Sequence, residues 1–251
     1  EDDLKNIENY SPILKQTNVL IYITADWGGT NGNFEYAINT FNLLDPSRLE
    51  KIIYFSTASI LKKGNKLDDE AGRCGTLYIK GKYLMRKKIQ ELQIRDKTIT
   101  LYPTWVLGGD KNHPYSHATI AIKHIKNWLW LLRFFSFDAS FHFIHAKDIA
   151  AITAYLLNSN IKSGDFVLGN DPLTANEFIE KMCAFYKKRI YFRIPLSSAF
   201  LRFTIKLLRK KLSPWDEYCL NNTHQIYNTV NAKTFGLSSE LSTIEEILKA
   251  F

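Results

Sequence analysis

The chain has few cysteines and no long run of apolar residues. Its three cysteines, Cys74, Cys183 and Cys219, form no Cys-x-x-Cys pair and cannot all be joined in disulfides. They are interpreted as reduced thiols of a cytoplasmic protein. The longest apolar stretch, residues 128–137, contains Arg133 and is about half as long as a membrane-crossing helix, which needs about 20 apolar residues. No charged segment followed by an apolar one opens the sequence, so no secretory signal is predicted.

Metal-binding motifs are also absent from the sequence. No group of histidine, cysteine and acidic residues has the spacing of a metal site, so no metal is predicted. The net charge of +8 is unevenly distributed, because residues 195–212 contain five basic residues and no acidic one. Such a local cluster does not indicate a nucleic-acid-binding surface, so nucleic acid is not an expected partner. A basic helix over 195–212 has two interpretations: a lobe helix with a solvated polar side, or a peripheral contact with an anionic membrane.

Short apolar runs alternate with helical patterns over the first two thirds of the chain. Strands are predicted at 19–24, 52–56, 98–102 and 166–168. Helices are predicted at 35–44, 76–92 and 147–157. This alternation is typical of a Rossmann-like α/β fold with a doubly wound parallel sheet. The last third is rich in helix signals, including capping boxes at Thr174 and Thr243, and predicts a smaller, mostly helical lobe.

The strongest candidates for chemistry are Tyr78 and Lys82, which lie one turn apart on the predicted helix 76–92. An ammonium beside a phenol favours the phenolate and lowers the pKa of the tyrosine from its usual value of about 10. Thr57 follows the second predicted strand, and its hydroxyl can hold a substrate alcohol or carbonyl. Ser56 and Ser59 are competing candidates for that role.

A second pair with the same spacing, Tyr83 and Lys87, lies on the same predicted helix. Lys82 follows the small residue Gly81, whereas Lys87 follows the bulky Arg86. The second pair is therefore interpreted as ordinary amphipathic surface.

Six segments, in this order, resemble the extended short-chain dehydrogenase/reductase family, the NAD(P)-dependent sugar-nucleotide epimerases and dehydratases. The matching segments are Ile21-Tyr-Ile-Thr-Ala25, Asn39-Thr-Phe-Asn-Leu-Leu44, Tyr54-Phe-Ser-Thr-Ala-Ser-Ile60, Tyr78-Ile-Lys-Gly-Lys82, Leu101-Tyr-Pro-Thr-Trp-Val-Leu-Gly108 and Phe143-Ile-His-Ala-Lys-Asp-Ile-Ala150. Each segment is short, and it is their order along the chain that carries the resemblance.

The resemblance implies a role for each of five residues. Tyr78 is the implied general acid/base, and Lys82 lowers its pKa and holds the hydroxyls of the nicotinamide ribose. Thr57 is implied to bind the reacting oxygen. Ala25 and Pro103 match loop positions whose backbone lies near the cofactor in this family.

Other residues depart from the family or are expected to be structural. Arg86, Tyr102 and Leu107 stand where the family usually has Glu, Arg and Tyr. His145 and Asp148 are expected to tie a loop to the start of a helix rather than to catalyse.

The family opens with a strand and a Gly-x-x-Gly-x-x-Gly turn, whose glycines let the backbone reach the pyrophosphate of the cofactor. Here the first glycine is Gly28, which comes after the strand that matches the family's fourth. The N-terminal Gly-rich βαβ unit is therefore lacking, either by truncation or by a true loss. Weak or no binding of NAD or NADP is predicted for residues 1–251.

The resemblance implies an NAD(P)-dependent epimerase or oxidoreductase that acts on a nucleotide-linked sugar in polysaccharide biosynthesis. Tyr/Lys-assisted hydride transfer would be its chemistry. Dehydration is disfavoured, because Thr57 is followed by Ala58 and Ser59 and not by an Asp-Glu pair. The alternative is a cofactor-free, degenerate family member that acts as a binding or scaffold protein.

The implied domains are a partial Rossmann-like NAD(P)-binding domain and a substrate-binding lobe. The first comprises residues 1–110 and 141–170, and the second comprises 111–140 and 171–251. A homodimer through the helices at 39–44 and 78–92 is also implied.

Overall fold

The computed structural model describes residues 3–26, 32–197, 199–200, 202 and 211–250. Its packing divides the chain into two units. Unit 1 contains Glu1–Pro103 and Thr153–Val167, and unit 2 contains Thr104–Ile152 and Leu168–Phe251. These limits differ from the boundaries predicted from the sequence, and the assignment of a cofactor-binding domain and a substrate lobe stays a prediction.

The described elements are as follows. The strands are β1 (Val19–Tyr22), β2 (Lys51–Phe55), β3 (Leu61–Lys62), β4 (Lys66–Leu67), β5 (Thr98–Pro103), β6 (Trp105–Leu107), β7 (Phe135–Phe137), β8 (Ser140–Phe141), β9 (Phe143–His145), β10 (Gly164–Leu168), β11 (Leu173–Thr174) and β12 (Ile194–Leu196). The α-helices are α1 (Ser11–Leu14), α2 (Glu35–Asn42), α3 (Asp69–Cys74), α4 (Leu77–Ile89), α5 (His117–Leu132), α6 (Ala146–Asn158), α7 (Ala175–Phe185), α8 (Pro214–Asn221) and α9 (Ile244–Lys249). Short 3-10 helices cover Leu4–Tyr10, Ala58–Ile60, Lys63–Asn65, Arg95–Lys97 and Ala232–Phe235.

Four strands form the main sheet in the order β1-β2-β5-β10. The β1–β2 and β2–β5 pairs are parallel, with Val19 opposite Lys51 and Ile52 opposite Thr98. All four strands were predicted from the sequence, as were α2, α4 and α6, and only the ends of the elements differ by a few residues. The predicted α/β fold class with a parallel sheet is confirmed.

Strand β2 shows why this sheet needs helices on both faces. Successive side chains of a strand point to opposite faces. Ile52 and Tyr54 pack in a hydrophobic core with Phe41 of α2 and Met85 of α4. Lys51, on the other face, reaches the C-terminal end of α6. Helices on both faces are typical of parallel sheets, whose strands are buried on both sides.

Strand β1 is an edge strand with one uncovered apolar face. Among the described strands it pairs with β2 alone. Leu20 and Tyr22 pack in the core with α2 and α4, whereas Val19, Ile21 and Ile23 are 44%, 43% and 65% exposed. The alternation of β1 therefore places Val19 and Ile21 on a face that no described helix of unit 1 covers.

The ammonium of Lys51 closes the C-terminal end of α6. Its Nζ donates to the carbonyl oxygens of Leu156 (2.5 Å), Leu157 (3.1 Å) and Ser159 (2.8 Å). The last carbonyls of a helix have no partner within the helix, and the helix dipole favours a cation beside them. Lys51 therefore ties β2 to α6 through charge-assisted hydrogen bonds.

Replacing Lys51 with methionine is expected to lower the free energy of unfolding by about 2 kcal/mol, because the carbonyls lose their donor while the aliphatic stem is kept. Urea denaturation followed by circular dichroism measures this change. Lys62→Met, which removes an exposed lysine of β3, is the control and should be close to neutral. An unchanged unfolding midpoint in Lys51→Met would contradict the capping role.

Unit 2 combines helices with short paired strands. Its core includes Leu129 of α5, Met182 of α7 and Ile247 of α9. Helices α7 and α9 begin at the predicted capping boxes of Thr174 and Thr243. Three strand pairs, β6–β9, β8–β11 and β7–β12, complete the described part of this unit.

The structure describes only part of the segment 195–212, for which a basic helix is predicted. Its first residues are not helical, because Ile194–Leu196 forms β12 and pairs with Phe135–Phe137 of β7. Most of the remaining segment (residues 198, 201 and 203–210) lies outside the described residues. The structure therefore corrects the start of this prediction.

No described helix combines the length and the hydropathy that crossing a membrane requires. Within the same described ranges, no group of three or more histidine, cysteine or acidic side chains is placed to hold a metal ion.

Candidate active site

Helix α4 carries both residues of the first Tyr/Lys pair. It begins after Thr76, whose side chain accepts a hydrogen bond from the backbone N–H of Ile79. This bond satisfies one of the free donors at the helix start. A Cβ atom at Gly81 would lie 2.7 Å from the Cβ of Asn33. The residue before Lys82 must therefore be small, because the chain at Asn33 packs directly against α4.

The structure brings Thr57 and Tyr78 together. Thr57 lies two residues after the end of β2, is nearly buried, and its side chain is hydrogen-bonded with that of Tyr78. The Thr57 hydroxyl oxygen also accepts from the backbone N–H of Ser59, at 3.3 Å. Thr57 therefore holds both the phenol and the loop after β2.

Burial raises the pKa of Tyr78, and the hydrogen bond with Thr57 opposes the rise. Lys82 is not among the groups that shift this pKa, so the lowering predicted from the sequence is not found in this structure. The physical reason is that desolvation of the phenolate dominates, while the ammonium of Lys82 is bound to backbone carbonyls and not to the phenol. Tyr78 consequently keeps its proton at neutral pH and is set up as a proton donor.

Lys82 is held by backbone carbonyls at the ends of two neighbouring strands. Its Nζ donates to the carbonyl oxygens of Thr24 (3.1 Å) and Phe55 (2.8 Å). The same nitrogen lies 5.0 Å from the centroid of the Tyr54 ring, a distance at which a cation is attracted to the ring face. Lys82 is only 1% exposed, and burial lowers its pKa to about 8.

The two pKa shifts reverse the order in which the pair titrates. An ordinary tyrosine loses its proton before an ordinary lysine. Here the pKa of Tyr78 is raised above 10.0 and that of Lys82 falls to about 8. Between about pH 8 and pH 10.0 the pair therefore consists of a neutral amine and a neutral phenol.

The other two predicted cofactor contacts, Ala25 and Pro103, also lie at the carboxyl ends of the parallel strands. Ala25 is exposed in the loop after β1, and Pro103 is the half-buried last residue of β5. Asn33 closes the loop after β1, since its side chain accepts from the backbone N–H of Asp26 (3.0 Å) and donates to the Asp26 carbonyl (2.5 Å). In open α/β sheets this edge is where ligands bind.

The second Tyr/Lys pair is only partly surface, which corrects its interpretation. Tyr83 is buried, and its hydroxyl donates to the Asp69 carboxylate at 2.7 Å. A Cβ atom at Gly72 would lie 2.5 Å from the Tyr83 ring, so this ring joins α3 to α4. Lys87 is exposed, with its nitrogen 5.6 Å from the centroid of the Tyr83 ring.

Two of the departures from the family pattern meet at one carboxylate. Arg86 pairs with Asp165 at 2.5 Å, and the hydroxyl of the buried Tyr102 donates to the same carboxylate at 3.0 Å. Burial raises the pKa of Tyr102, and the charge of Asp165 adds to the rise. Arg86 and Tyr102 thus have a shared structural role next to β10.

His145 and Asp148 lie in unit 2, where both are buried. The ring nitrogen Nδ1 of His145 accepts from the backbone N–H of Lys147 at 3.2 Å. Asp148 accepts from the hydroxyl of Ser239 at 2.8 Å. These contacts hold the first turn of α6, in keeping with a structural role.

Sequence reasoning missed the backbone partners of Lys82 and the neighbouring buried hydroxyls. Every residue has a backbone carbonyl, so the sequence does not indicate that those of Thr24 and Phe55 bind Lys82. Gly81 does indicate that another segment packs closely against α4. The hydroxyls of Tyr54 and Ser56 are buried and have no hydrogen-bond partner among the described residues. Ser56 therefore stays a candidate beside Thr57, and the buried hydroxyl of Tyr54 is a further polar group at this site that no sequence pattern indicates.

Several solved structures share the fold of this chain. A UDP-N-acetylglucosamine 4-epimerase from Methanobrevibacter ruminantium, in complex with UDP-N-acetylmuramic acid, is 16% identical, with a TM-score of 0.63 over 99% of this chain and 79% of that one. A variant UDP-glucuronic acid 4-epimerase from Bacillus cereus, in complex with a deoxyfluoro UDP-glucuronic acid and NAD, is 15% identical, with a TM-score of 0.62 over 99% of this chain and 78% of that one. A dTDP-glucose 4,6-dehydratase from Bacillus anthracis, in complex with NAD, is 11% identical, with a TM-score of 0.61 over 100% of this chain and 77% of that one.

No protein-family model matches the sequence, and no curated protein sequence matches it either. At these identities the solved structures establish the Rossmann-like fold, which agrees with the fold that the resemblance implied. They also show that proteins of this fold bind NAD and nucleotide sugars.

Proposed function

We propose that the chain is a member of the extended short-chain dehydrogenase/reductase family and contributes to NAD(P)-dependent epimerisation or oxidoreduction of a nucleotide-linked sugar. The observation that carries this proposal is the hydrogen-bonded pair of Thr57 and Tyr78 beside the buried Lys82. All three lie at the carboxyl edge of a parallel sheet, the usual place for a ligand in this fold. Pairing of two copies, a cytoplasmic location and a role in polysaccharide biosynthesis stay predictions.

The described residues fit the nicotinamide-ribose end of a nicotinamide dinucleotide. Lys82 uses two of its N–H groups on carbonyls, which leaves a third for a ribose hydroxyl. The pyrophosphate end is not matched in the same way. The family's pyrophosphate-binding Gly-x-x-Gly-x-x-Gly turn precedes the strand that β1 matches, and no described residue stands in its place.

In the proposed reaction the chain's own residues handle the proton and the position of the sugar. As the phenolate, Tyr78 takes the proton from the reacting sugar hydroxyl when the carbonyl forms, and as the phenol it returns that proton when the hydroxyl is restored. Thr57 holds the reacting oxygen near the phenol. A bound nicotinamide supplies the hydride acceptor. Because burial favours the neutral phenol, proton return to the carbonyl is the step that Tyr78 is better prepared for in this structure.

The alternative is a cofactor-free binding or scaffold protein with the same fold. The 1% exposure of Lys82 supports it, because a ribose hydroxyl can reach the third N–H only if the residues that cover this nitrogen move. Under this alternative the site still accepts a nucleotide sugar, and no hydride is transferred.

One assay separates these functions. The protein is incubated with NAD or NADP and a panel of UDP- and dTDP-sugars, and the products and the absorbance of reduced nicotinamide are followed. Epimerised or oxidised sugar with only weak cofactor binding is the expected result. Nucleotide-sugar binding by calorimetry without any product would favour the scaffold alternative. If neither cofactor nor any nucleotide sugar binds, both functions are wrong.

A further inference from the structure

The end of α5 and residues 186–194 form one continuous surface in unit 2. Arg133, which follows α5, donates from Nη1 to the carbonyl of Arg189 at 2.9 Å. The Phe134 and Phe192 rings stack with their centroids 5.1 Å apart, and the backbone N–H of Ile194 donates to the Phe134 carbonyl at 2.8 Å. Contacts between side chains and between backbones therefore join the two segments.

We call this region the aromatic–basic surface. Its members are the large apolar and basic residues around that junction: Trp130, Arg133, Phe134, Lys187, Lys188, Arg189, Tyr191, Phe192 and Ile194. Among them Trp130 is 58% exposed, Tyr191 72%, Phe192 59% and Ile194 50%. Neighbouring large apolar side chains with this exposure mark an interaction site more often than a free surface.

The charge of this surface has one sign. No acidic residue occurs between 111 and 137 or between 181 and 215. Arg193, whose neighbours belong to the surface, is neutralised by Glu180 at 2.7 Å. By contrast, no ion pair is found for Lys187, Lys188 or Arg189 among the described residues.

The backbone also projects this charge outward. Lys187 has a φ of 53°, a left-handed conformation that glycine usually occupies just after a helix. The chain turns there, immediately after α7, and residues 187–189 are all exposed. A lysine at this position keeps its charge at the turn despite the unfavourable backbone conformation.

We propose that the aromatic–basic surface binds the headgroup region of an anionic lipid bilayer. Trp and Tyr prefer the boundary between headgroups and hydrocarbon, and clustered Lys and Arg are attracted by anionic lipids. A nucleic acid would use the basic and aromatic groups as well, but it offers no apolar phase for Ile194. The proposal is independent of the sugar-nucleotide function and concerns where the protein acts.

Cosedimentation with vesicles tests the proposal directly. The protein should sediment with phosphatidylcholine vesicles that contain phosphatidylserine, and should stay in solution with phosphatidylcholine alone. The double variant Lys187→Gln/Lys188→Gln should lower the partition coefficient about 30-fold, since each lysine near the membrane contributes about fivefold. Equal binding to both lipids, or no binding to either, would overturn the proposal.

Helix α5 itself offers a matched control for the aromatic part. Trp128 is 57% exposed, as Trp130 is, but two residues turn the helix by about 200° and place it on the other flank. The blue shift of tryptophan emission on adding anionic vesicles should be retained in Trp128→Phe and lost in Trp130→Phe. Equal effects of the two substitutions would overturn the assignment of this surface.

A parallel titration with a single-stranded oligonucleotide distinguishes a nucleic-acid partner from a membrane partner. Lipid-specific binding predicts little association and no dependence on Trp130. Tight, Trp130-dependent binding of the oligonucleotide in place of vesicle binding would replace the membrane with nucleic acid as the partner of this surface.

Discussion

Tyr78→Phe should lower kcat for the nucleotide sugar that the protein turns over by about 10²- to 10⁴-fold, with little change in KM. This is the usual contribution of a general acid/base. The substitution removes only the hydroxyl that bonds with Thr57, so the ring keeps its packing on α4. Steady-state kinetics and a thermal unfolding scan of the same preparation measure the two effects separately.

The second tyrosine of the same helix supplies the control. Tyr83→Phe also removes one hydroxyl, which donates to Asp69 and not to Thr57. It should cost about 1 kcal/mol of stability and leave kcat nearly unchanged. A loss of activity in Tyr83→Phe that matches the loss in Tyr78→Phe would mean that α4 is merely sensitive to substitution. Full activity in Tyr78→Phe would remove the phenol from the mechanism.

The stability contributed by Lys82 should increase with pH. Its pKa is about 8 in the folded protein and 10.5 as an ordinary lysine. Below about pH 8 both states are protonated, and the folded protein bears the full cost of burying the ammonium. Between about pH 8 and pH 10.5 the unfolded state binds more protons, so the free energy of unfolding rises with pH. The shift corresponds to a gain of about 3 kcal/mol across that window.

Comparison with Lys82→Met isolates this effect from the titration of the tyrosines. Urea denaturation of both proteins at about pH 7 and about pH 10.5 gives the difference in unfolding free energy at each pH. Between the two pH values, the unfolding free energy of the wild type should rise by about 3 kcal/mol relative to that of the variant. Lys63→Met, which changes an exposed lysine, should show no such gain. A difference that does not vary with pH would show that Lys82 is not desolvated as the structure indicates.

Tyr78 and Lys82 together show that burial can reverse a pKa shift predicted from residue spacing. The spacing of Tyr78 and Lys82, four positions apart, led to the expectation of a tyrosine with a lowered pKa. The structure instead directs Lys82 to the carbonyls of Thr24 and Phe55 and raises the pKa of Tyr78. The spacing established that both lie on one face of α4, but the partners of each group depend on loops distant in sequence.

The order of strands and helices was readable from local pattern. The β-branched run at Val19, the buried run at Ile52 and the capping box at Thr174 each reflect forces acting over a few residues. The three candidates Thr57, Tyr78 and Lys82 were likewise found from their places in that order. The aromatic–basic surface was not, because Trp130 and Phe192 are more than sixty residues apart and neither carries a signal of the other.

Local periodicity and short motifs were thus sufficient for the parallel α/β architecture, and they led to the prediction of Tyr78 rather than Tyr83 as the site residue. Only the tertiary structure determines which side chains are buried, which face of β1 is exposed, and the order in which Tyr78 and Lys82 titrate. The reason is that alternation and capping depend on neighbours along the chain. Desolvation and long-range hydrogen bonds, in contrast, depend on which distant segments come into contact.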